Sequence, residues 1–212
     1  MLKLYDYIRS SAAYRVRIAL AMKGLASTSV NIHLVQNGGE QNSVAYKSIN
    51  PQGLIPAIET RGDILTQSLA IIEYLEERHP KPALLPEDPI DRAHVRAMAY
   101  AVAVDIHPIQ NLRVLNYLKG EMGQSEDAVR KWGRHWIEDG LRAFQDLVDR
   151  ASPDSRYCFG SRVTLADICL APQMVNARRF DCDLSAVPRL VEIDQALRKL
   201  TAFENTTSEI AA

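Results

Sequence analysis

Hydrophobic and polar positions follow different patterns in the two parts of this chain, and the change falls near residue 80. Before it, short apolar runs typical of strands alternate with stretches whose apolar residues recur at helical spacing. Strands are predicted over residues 2–7, 27–34, 55–59 and 64–65, and helices over residues 11–23, 43–48 and 67–78. This order of elements predicts an α/β domain with a mixed sheet.

After residue 90 nearly all of the sequence follows helical spacing. Helices are predicted over residues 91–119, 126–151, 164–179 and 187–200, and the last dozen residues are expected to form a fraying tail. Between the two patterns, a proline-rich segment cannot continue a helix. We therefore expect an α/β domain over residues 1–80, a linker over 81–89 and an all-helical domain over 90–212.

Composition narrows the class of protein without indicating any chemistry. The chain has 212 residues, 47% hydrophobic and 24% charged, with a formal net charge of −1, which excludes a disordered or low-complexity chain. The net charge shows no excess of basic residues of the kind that nucleic-acid binders have, so no nucleic-acid partner is expected. The uncharged apolar run at residues 97–104 is shorter than the roughly 20 residues of a membrane-spanning helix, so no membrane association is expected.

The cysteines and the N-terminal sequence favour a cytoplasmic location. Cys158, Cys169 and Cys182 have neither metal-ligand nor CxxC spacing and are interpreted as buried thiols in a reducing compartment. The first residues continue directly into a predicted strand, without the features of a signal peptide. No metal site is expected.

The segment Arg9-Ser10-Ser11 lies where the first predicted strand gives way to the first helix. Free N–H groups and the helix dipole favour an anion at such a point, and a serine hydroxyl adds a donor. The alternative is that Ser10 or Ser11 only caps the helix. The spacing leaves both interpretations open.

Two further segments have a structural and a functional interpretation. Pro56 after Ile55 indicates either the start of an edge strand or a cis peptide bond that turns the Ile55 backbone toward a ligand. Gln67 and Ser68 precede an apolar helix, where they either cap it or bind a ligand carboxylate.

In the helical part, Pro108 is expected to kink the first long helix by removing its hydrogen bond to residue 104. His107 and Asn111 are four residues apart and share a helix face, whereas Arg113 points elsewhere. The segment from Thr164 to Asp167 predicts a capping box rather than a catalytic site. Arg178 and Arg179 end the same helix, where cations commonly interact with the helix dipole.

These motifs together resemble the zeta class of the glutathione transferase superfamily, the maleylacetoacetate and maleylpyruvate isomerases. The segment 10–20 (SSAAYRVRIAL) is similar to the signature of that class, and the resemblance covers essentially the whole chain. Further similar segments occur in the same order: Asn50-Pro51, Ile55-Pro56, residues 67–76, residues 108–112 and residues 163–167.

The resemblance implies a thioredoxin-like N-terminal domain, an all-α C-terminal domain that contributes the substrate pocket, a homodimer and reduced glutathione as cofactor. It assigns Ser11, helped by Ser10, to the glutathione thiolate. The remaining expected glutathione contacts are Gln41, Ile55, Pro56, Gln67, Ser68, His107 and Asn111, and the expected substrate contacts are Arg9, Asn111, Arg113 and Arg179.

The chain departs from the signature at Ala12, which replaces a cysteine, and at Tyr14, which replaces a tryptophan. The replacement of the cysteine by Ala12 leaves serine-based activation intact and is expected to affect secondary transferase activities. Arg113 stands where a small polar residue is expected in the animal enzymes, and its charge bears on which diacid fits.

The implied activity is glutathione-dependent cis–trans isomerisation of a maleyl diketo acid during the breakdown of aromatic compounds. Alternative enzymatic activities are general glutathione transfer, peroxidase activity and dehalogenation of α-halo acids. A non-enzymatic alternative is a glutathione-transferase-like binding module without catalysis. The sequence leaves open whether the substrate is maleylacetoacetate or maleylpyruvate.

Overall fold

The computed structural model describes residues 2–207, which form two compact units. The first unit contains the chain up to Leu84 together with the described residues from Leu200 onward, and the second contains Leu85–Lys199. This division differs from the predicted boundaries of 1–80, 81–89 and 90–212. The chain changes unit at Leu84, and the end of the chain groups with the first unit rather than the second.

The first unit contains a four-stranded sheet, in agreement with the predicted α/β class. Its strands are β1 (Leu2–Asp6), β2 (Ser27–Asn31), β3 (Ala57–Thr60) and β4 (Asp63–Thr66), in the order β2-β1-β3-β4. β1 runs parallel to β2 and antiparallel to β3, with Leu4 opposite Ser29 on one side and Ile58 on the other. β3 and β4 pair antiparallel as a hairpin, so the predicted mixed sheet is confirmed.

Helices α1 (Ser11–Met22), α2 (Val44–Lys47) and α3 (Ser68–Arg78) pack on this sheet. Arg17 of α1 donates to the Asp6 carboxylate at 2.6 Å and to the Ile8 carbonyl at 3.0 Å, which fixes α1 against the end of β1. An apolar cluster that includes Tyr5 and Tyr46 is buried beside α2. The start of α1 is therefore held in place at the end of β1.

The segment after α3 is bound to the first unit instead of serving as a free linker. The fully buried Lys23 ammonium contacts the Glu76 carboxylate at 2.7 Å and the carbonyls of His79 and Pro82 at 2.6 and 3.0 Å. The Leu84 N–H donates to the other Glu76 oxygen at 2.9 Å. Because Lys23 needs these acceptors once it is buried, the chain stays attached as far as Leu84.

The second unit is helical in the part that the structure describes. It contains α4 (Pro89–Tyr100), a π-helical turn (Ala101–Ile106), α5 (His107–Ile109), α6 (Leu112–Gly120), α7 (Glu126–Ala151), α8 (Leu165–Arg179) and α9 (Pro188–Leu197). Twelve residues of α8 are buried, so this helix forms the centre of the unit. Among the described helices, none is long and apolar enough to cross a membrane.

The prediction of one kinked helix over residues 91–119 is wrong, because the helix ends and restarts after Pro108. The His107 N–H donates to the Val102 carbonyl five residues earlier, closing a π turn just before the proline. Gln110 leaves the helical conformation at φ −106° and ψ 15°, and Asn111 caps a new helix. Proline cannot donate to the preceding turn, so the backbone widens before it and breaks after it.

The predicted capping box at the start of α8 is confirmed. The buried Asp167 carboxylate accepts hydrogen bonds from the N–H groups of Thr164 at 2.7 Å and Cys158 at 2.8 Å. Burial raises the pKa of Asp167, and the two N–H donors oppose that effect. One side chain thus fixes both the start of α8 and the loop before it.

All three cysteines are free, as expected, but only Cys158 and Cys169 are fully buried. Cys182 is half-buried, which corrects the prediction for that residue. Burial raises the pKa of Cys182 to about 12 and raises the pKa of Cys158 well above its ordinary value. Neither thiol therefore has the lowered pKa of a reactive cysteine.

Where the expected tail is described, it is helical. Residues Thr201–Thr207 form α10, and residues 208–212 lie outside the described part of the chain. Phe203 is buried, and its carbonyl accepts a hydrogen bond from the Tyr14 hydroxyl at 3.4 Å. The aromatic anchor explains why this segment packs on α1 instead of fraying.

Candidate functional site

Ser10 is the N-cap of α1. Its Oγ accepts from the Ala13 N–H at 3.2 Å, its carbonyl accepts from the Tyr14 N–H, and its own N–H donates to the Tyr7 carbonyl at 2.9 Å. The capping interpretation is therefore confirmed for Ser10, which is buried. Its oxygen holds the helix as an acceptor, and its O–H remains a donor.

Ser11 is the first residue of α1 and has a different environment. Within residues 2–207 no acceptor lies within hydrogen-bonding distance of the Ser11 or Ala12 N–H groups. Ser11 is partly exposed, and the neighbouring Arg9 is exposed. Two N–H donors and the Ser11 hydroxyl therefore stand at the positive end of a 12-residue helix, which favours an anion.

The first turns of α1 and α3 are joined by a buried arginine. Arg15 is 1% exposed and donates to the Ser68 Oγ at 3.3 Å. The helix α3 begins at Ser68 without a side-chain cap, and its first backbone hydrogen bond runs from Ile71 to Gln67. The unit therefore brings together two helix N-termini with open donors, and both favour negative charge.

Gln67 has a strained backbone at the start of α3. Its φ of 69° and ψ of 117° lie outside the regions that non-glycine residues normally adopt. The side chain is exposed, and its Nε2 donates to the Gln52 Oε1 at 2.8 Å. Such strain is concentrated at functional sites, where surrounding contacts hold the residue in place.

The Ile55–Pro56 peptide bond is cis, as the family resemblance implies, and β3 begins at the next residue. The preceding Leu54 carbonyl accepts hydrogen bonds from the Asn50 Nδ2 at 2.6 Å and the Tyr46 hydroxyl at 2.8 Å. Burial raises the pKa of Tyr46 to about 12, so its hydroxyl remains a donor at neutral pH. These two bonds fix the loop that presents Ile55.

Gln41 lies in a 3₁₀ turn (Glu40–Asn42). The Gln41 Nε2 donates to the Leu34 carbonyl at 3.4 Å. No donor among the described residues reaches its buried Oε1. At Gly53, whose φ is 61°, an added Cβ would lie 3.1 Å from the Gln41 carbonyl oxygen. The close approach of these two segments therefore depends on glycine.

A cavity of about 660 Å³ lies between β2 and α2, and none of the predicted site residues lines it. Its walls include Tyr5, Tyr46 and the residues Gly39, Glu40 and Asn42 that flank Gln41. This cavity is therefore next to the predicted site rather than part of it.

In the helical unit, His107, Asn111 and Arg113 surround the break after Pro108. The Asn111 Nδ2 lies 3.4 Å from the His107 Nε2, so the predicted pairing of these two residues is observed. The Asn111 Oδ1 accepts from the Arg113 N–H at 3.1 Å and so caps α6, while the Arg113 residue is exposed. Arg113 reaches this cluster through its backbone.

Arg178 and Arg179 have separate environments at the end of α8. Arg178 pairs with the buried Asp194 carboxylate at 2.5 Å and contacts the Met174 carbonyl at 3.1 Å, so it has a structural role. Arg179 is half-buried, and its carbonyl accepts from Arg130 at 3.2 Å. Arg178 is therefore a structural residue, and Arg179 remains a candidate binding residue.

The predicted residues form one group within each unit. In the first unit, the serines at the start of α1, Gln41, the cis bond and the start of α3 are linked by hydrogen bonds and close approaches. Sequence reasoning missed the residues that make these links, namely Arg15, Tyr46, Asn50 and Gln52. Arg15 and Asn50 are recognisable in the sequence only as parts of motifs. For Arg15, the available signal was a charged residue among the apolar positions of α1.

This chain is similar to known proteins over most of its length. A family model described as "Glutathione S-transferase, N-terminal domain" matches residues 4–83. The maleylacetoacetate isomerase of Pseudomonas aeruginosa is 49% identical over 203 residues, covering 95% of this chain and 93% of its own.

Two solved structures are similar over almost the whole chain. A holo structure described as maleyl pyruvate isomerase, a bacterial zeta-class glutathione S-transferase, has a TM-score of 0.93 and 44% identity, covering 96% of this chain and 95% of its own. The maleylacetoacetate isomerase of Methylobacterium extorquens AM1, with bound malonate and GSH, has a TM-score of 0.92 and 36% identity, covering 96% and 95%.

The strain at Gln67 predicts an unusual response to glycine. Strain of this kind costs about 1–3 kcal/mol, and glycine relieves it at an entropic cost of about 0.4–1 kcal/mol. Gln67→Gly should therefore be about 1 kcal/mol more stable than Gln67→Ala, as measured by denaturant unfolding. The same pair at the exposed helical Gln195 should show the opposite order. A Gln67→Gly variant that is less stable than Gln67→Ala would contradict the assignment of strain.

Proposed function

Because this chain belongs to the zeta class of the glutathione transferase superfamily, we propose that it catalyses the glutathione-dependent cis–trans isomerisation of a maleyl diketo acid. The observation that carries the proposal is the start of α1, where two free N–H groups and the Ser11 hydroxyl favour a bound thiolate. Names of similar proteins support the substrate class, and they include both maleylacetoacetate and maleylpyruvate isomerases.

Reduced glutathione fits the donors of the first unit. Its γ-glutamyl carboxylate matches the open N-terminus of α3. The buried Gln41 Oε1, which no donor among the described residues reaches, is an acceptor that suits an N–H group of the glycyl end. In this assignment Gln67 and Ser68 bind the γ-glutamyl carboxylate, and Gln41 lies at the glycyl end. The Ile55 backbone, set by the cis bond to Pro56, pairs with the cysteinyl part.

When bound, glutathione supplies a thiolate nucleophile that adds to the maleyl double bond, leaves a rotatable single bond and is expelled unchanged as the trans double bond forms. The Ser11 hydroxyl and the N–H groups of α1 stabilise the negative sulfur, which lowers the thiol pKa from its usual value near 8.5. Ser10 contributes by capping the helix through its oxygen, which accepts from the Ala13 N–H, and its O–H remains a donor that can assist Ser11.

The substrate is a dicarboxylate whose ketone becomes an enolate during the reaction. Arg9, Arg113 and Arg179 are assigned to its carboxylates and to the enolate charge, because a guanidinium binds a carboxylate in bidentate fashion. Asn111 and His107 are assigned to the glutathione and substrate sides of the same pocket. Family resemblance supports these assignments, and the bound malonate and GSH of a similar protein agree with the ligand classes.

We also propose that the protein acts as a homodimer in the cytoplasm. The resemblance to the zeta class supports the dimer, and the three free thiols fit a reducing compartment.

Turnover at limiting glutathione distinguishes the proposed reaction from its alternatives. We expect ultraviolet-monitored decay of maleylacetoacetate or maleylpyruvate to go to completion with substoichiometric glutathione, since an isomerase regenerates it. The faster substrate identifies the physiological diacid. Stoichiometric loss of glutathione thiol with an electrophile, without isomerisation, would instead indicate a transferase. Failure to bind or use glutathione would favour a binding module.

Ser11→Ala should lower kcat for isomerisation by about 10- to 100-fold, because it removes a donor from a developing or bound anion. The pH at which bound glutathione ionises, followed by thiolate absorbance, should move upward in this variant. Ser10→Ala serves as the comparison, and it should mainly lower stability by about 1 kcal/mol through loss of the cap. An unchanged ionisation midpoint in Ser11→Ala would assign the activation to the helix and Ser10.

Arg9→Ala and Arg179→Ala should each raise KM for the diacid more than KM for glutathione. We expect KM for the diacid to rise about tenfold, because the lost charge-assisted contact is worth about 1.4 kcal/mol or more. Steady-state kinetics with each component varied in turn measures both constants. Arg150→Ala, which removes an exposed charge at the end of α7, is the control. Unchanged diacid kinetics in both variants would refute the role of the arginines.

A further inference from the structure

Three amide side chains are buried around the helix break in the second unit. Gln110 is 4% exposed, Gln173 is fully buried and Asn176 is 8% exposed. Burying an amide is unfavourable unless it forms hydrogen bonds, so such a cluster in a helical core needs a physical reason.

The three amides form a chain of hydrogen bonds across the unit. The Gln110 Nε2 donates to the Gln173 Oε1 at 3.3 Å, and the Asn176 Nδ2 donates to the Gln110 Oε1. Gln110 therefore uses both ends of its amide to bind one face of α8. It is also the residue at which the helical conformation of α5 ends.

A second contact fixes the same break from another helix. The Ile109 carbonyl accepts a hydrogen bond from the Trp132 Nε1 of α7 at 3.0 Å. The two residues before Asn111 are thus held by α7 on one side and by α8 on the other.

The amide chain lies between two residues assigned above to the ligand. Gln110 immediately precedes Asn111, which contacts His107 and caps α6. Asn176 lies one helical turn before Arg179, about 4.5 Å along the axis of α8 at 1.5 Å per residue. The other end of α8 is fixed by the Asp167 capping box, so α8 cannot shift along its axis freely.

We propose that Gln110, Gln173 and Asn176 are positioning residues that set the separation of Asn111 and Arg179 and thereby the length of dicarboxylate that is accepted. This proposal rests on the proposed function of those two residues. Directional hydrogen bonds fix the register of two segments, which apolar packing alone does less strictly. Neutral amides achieve this without adding charge close to Arg179.

The composition of the cluster argues against a role in stability alone. Most other buried residues of α8 are apolar, and the Gln173 Nε2 has no acceptor among the described residues. An apolar side chain of the same length would avoid burying that donor. The amide at position 173 is thus kept although it costs free energy, as expected for a residue that specifies geometry.

The decisive variant is Gln173→Met, which keeps the side-chain length and removes the hydrogen bond to Gln110. We expect it to fold with a melting temperature close to that of the parent chain, because it removes the unpaired Gln173 Nε2 but leaves the Gln110 Nε2 without this acceptor. Calorimetric titration of the glutathione-loaded protein with malonate, succinate and glutarate measures the preference for diacid length. We expect the ratio of the best to the worst Kd to fall at least fivefold, while Kd for glutathione changes less than twofold.

Two further variants separate hydrogen bonding from packing. Gln110→Met removes the same hydrogen bond from its other partner without adding charge, so it should lose the length preference as well. Gln195→Met makes the same substitution as the test variant at an exposed position of α9 and should leave the preference unchanged. If Gln173→Met fails to fold, Asn176→Ser, which retains a small polar group, takes its place with the same expected loss.

An unchanged length preference in the folded variant, or binding of none of the three diacids by the parent chain, would overturn the proposal. The readout is independent of turnover. A parent chain that selects one diacid length but isomerises neither maleyl substrate would refute the proposed function alone and leave the positioning role supported.

Discussion

Every α-helix leaves its first N–H groups without acceptors inside the helix, and the partners of those donors divide this molecule into scaffold and site. At α8 the Asp167 carboxylate accepts the N–H of the N-cap Thr164 and that of Cys158 in the preceding loop. Ser125 and Asp88 cap α7 and α4 with their side chains. Ser10 caps α1 in the same way, whereas α3 has no side-chain cap. The buried Arg15 joins α1 to α3, which links the two helices whose N-termini are proposed to bind glutathione.

Much of the fold follows from local patterns in the sequence. Alternation predicts the four strands, and helical spacing predicts α7 with the bounds that the structure gives it. The capping box is equally local, since Thr164 and Asp167 are three residues apart. What local pattern does not contain is the partner of a buried group. The burial of Lys23 holds the chain to the first unit as far as Leu84, and the burial of Phe203 returns the last described helix to α1. Both contacts join residues more than fifty positions apart, so the predicted boundaries and tail differ from the structure.

The candidate site shows the same division. Ser10, Ser11, Gln67 and Ser68 were predictable because a polar residue before an apolar helix is visible in the sequence. Local spacing alone could not choose between a cap and a ligand contact, because both uses require the same residue types. The structure shows that Ser10 caps the helix through its oxygen, whereas Ser11 lies beside N–H groups that have no acceptor within the described part of the chain. Family resemblance identified these residues because it draws on more of the chain than any one motif.

The way in which charge is distributed over the proposed site also matters for the chemistry. A thiolate becomes less nucleophilic as its pKa falls, so a cation in direct contact with the sulfur would increase the thiolate fraction while weakening its attack. The donors at the start of α1 are neutral N–H and hydroxyl groups, which stabilise the anion without a full positive charge. The formal positive charges of the proposed site are on Arg9, Arg113 and Arg179, which are assigned to the diacid. In the proposed mechanism the neutral donors therefore serve the sulfur, and the guanidinium groups are assigned to a substrate whose negative charge grows as the enolate forms.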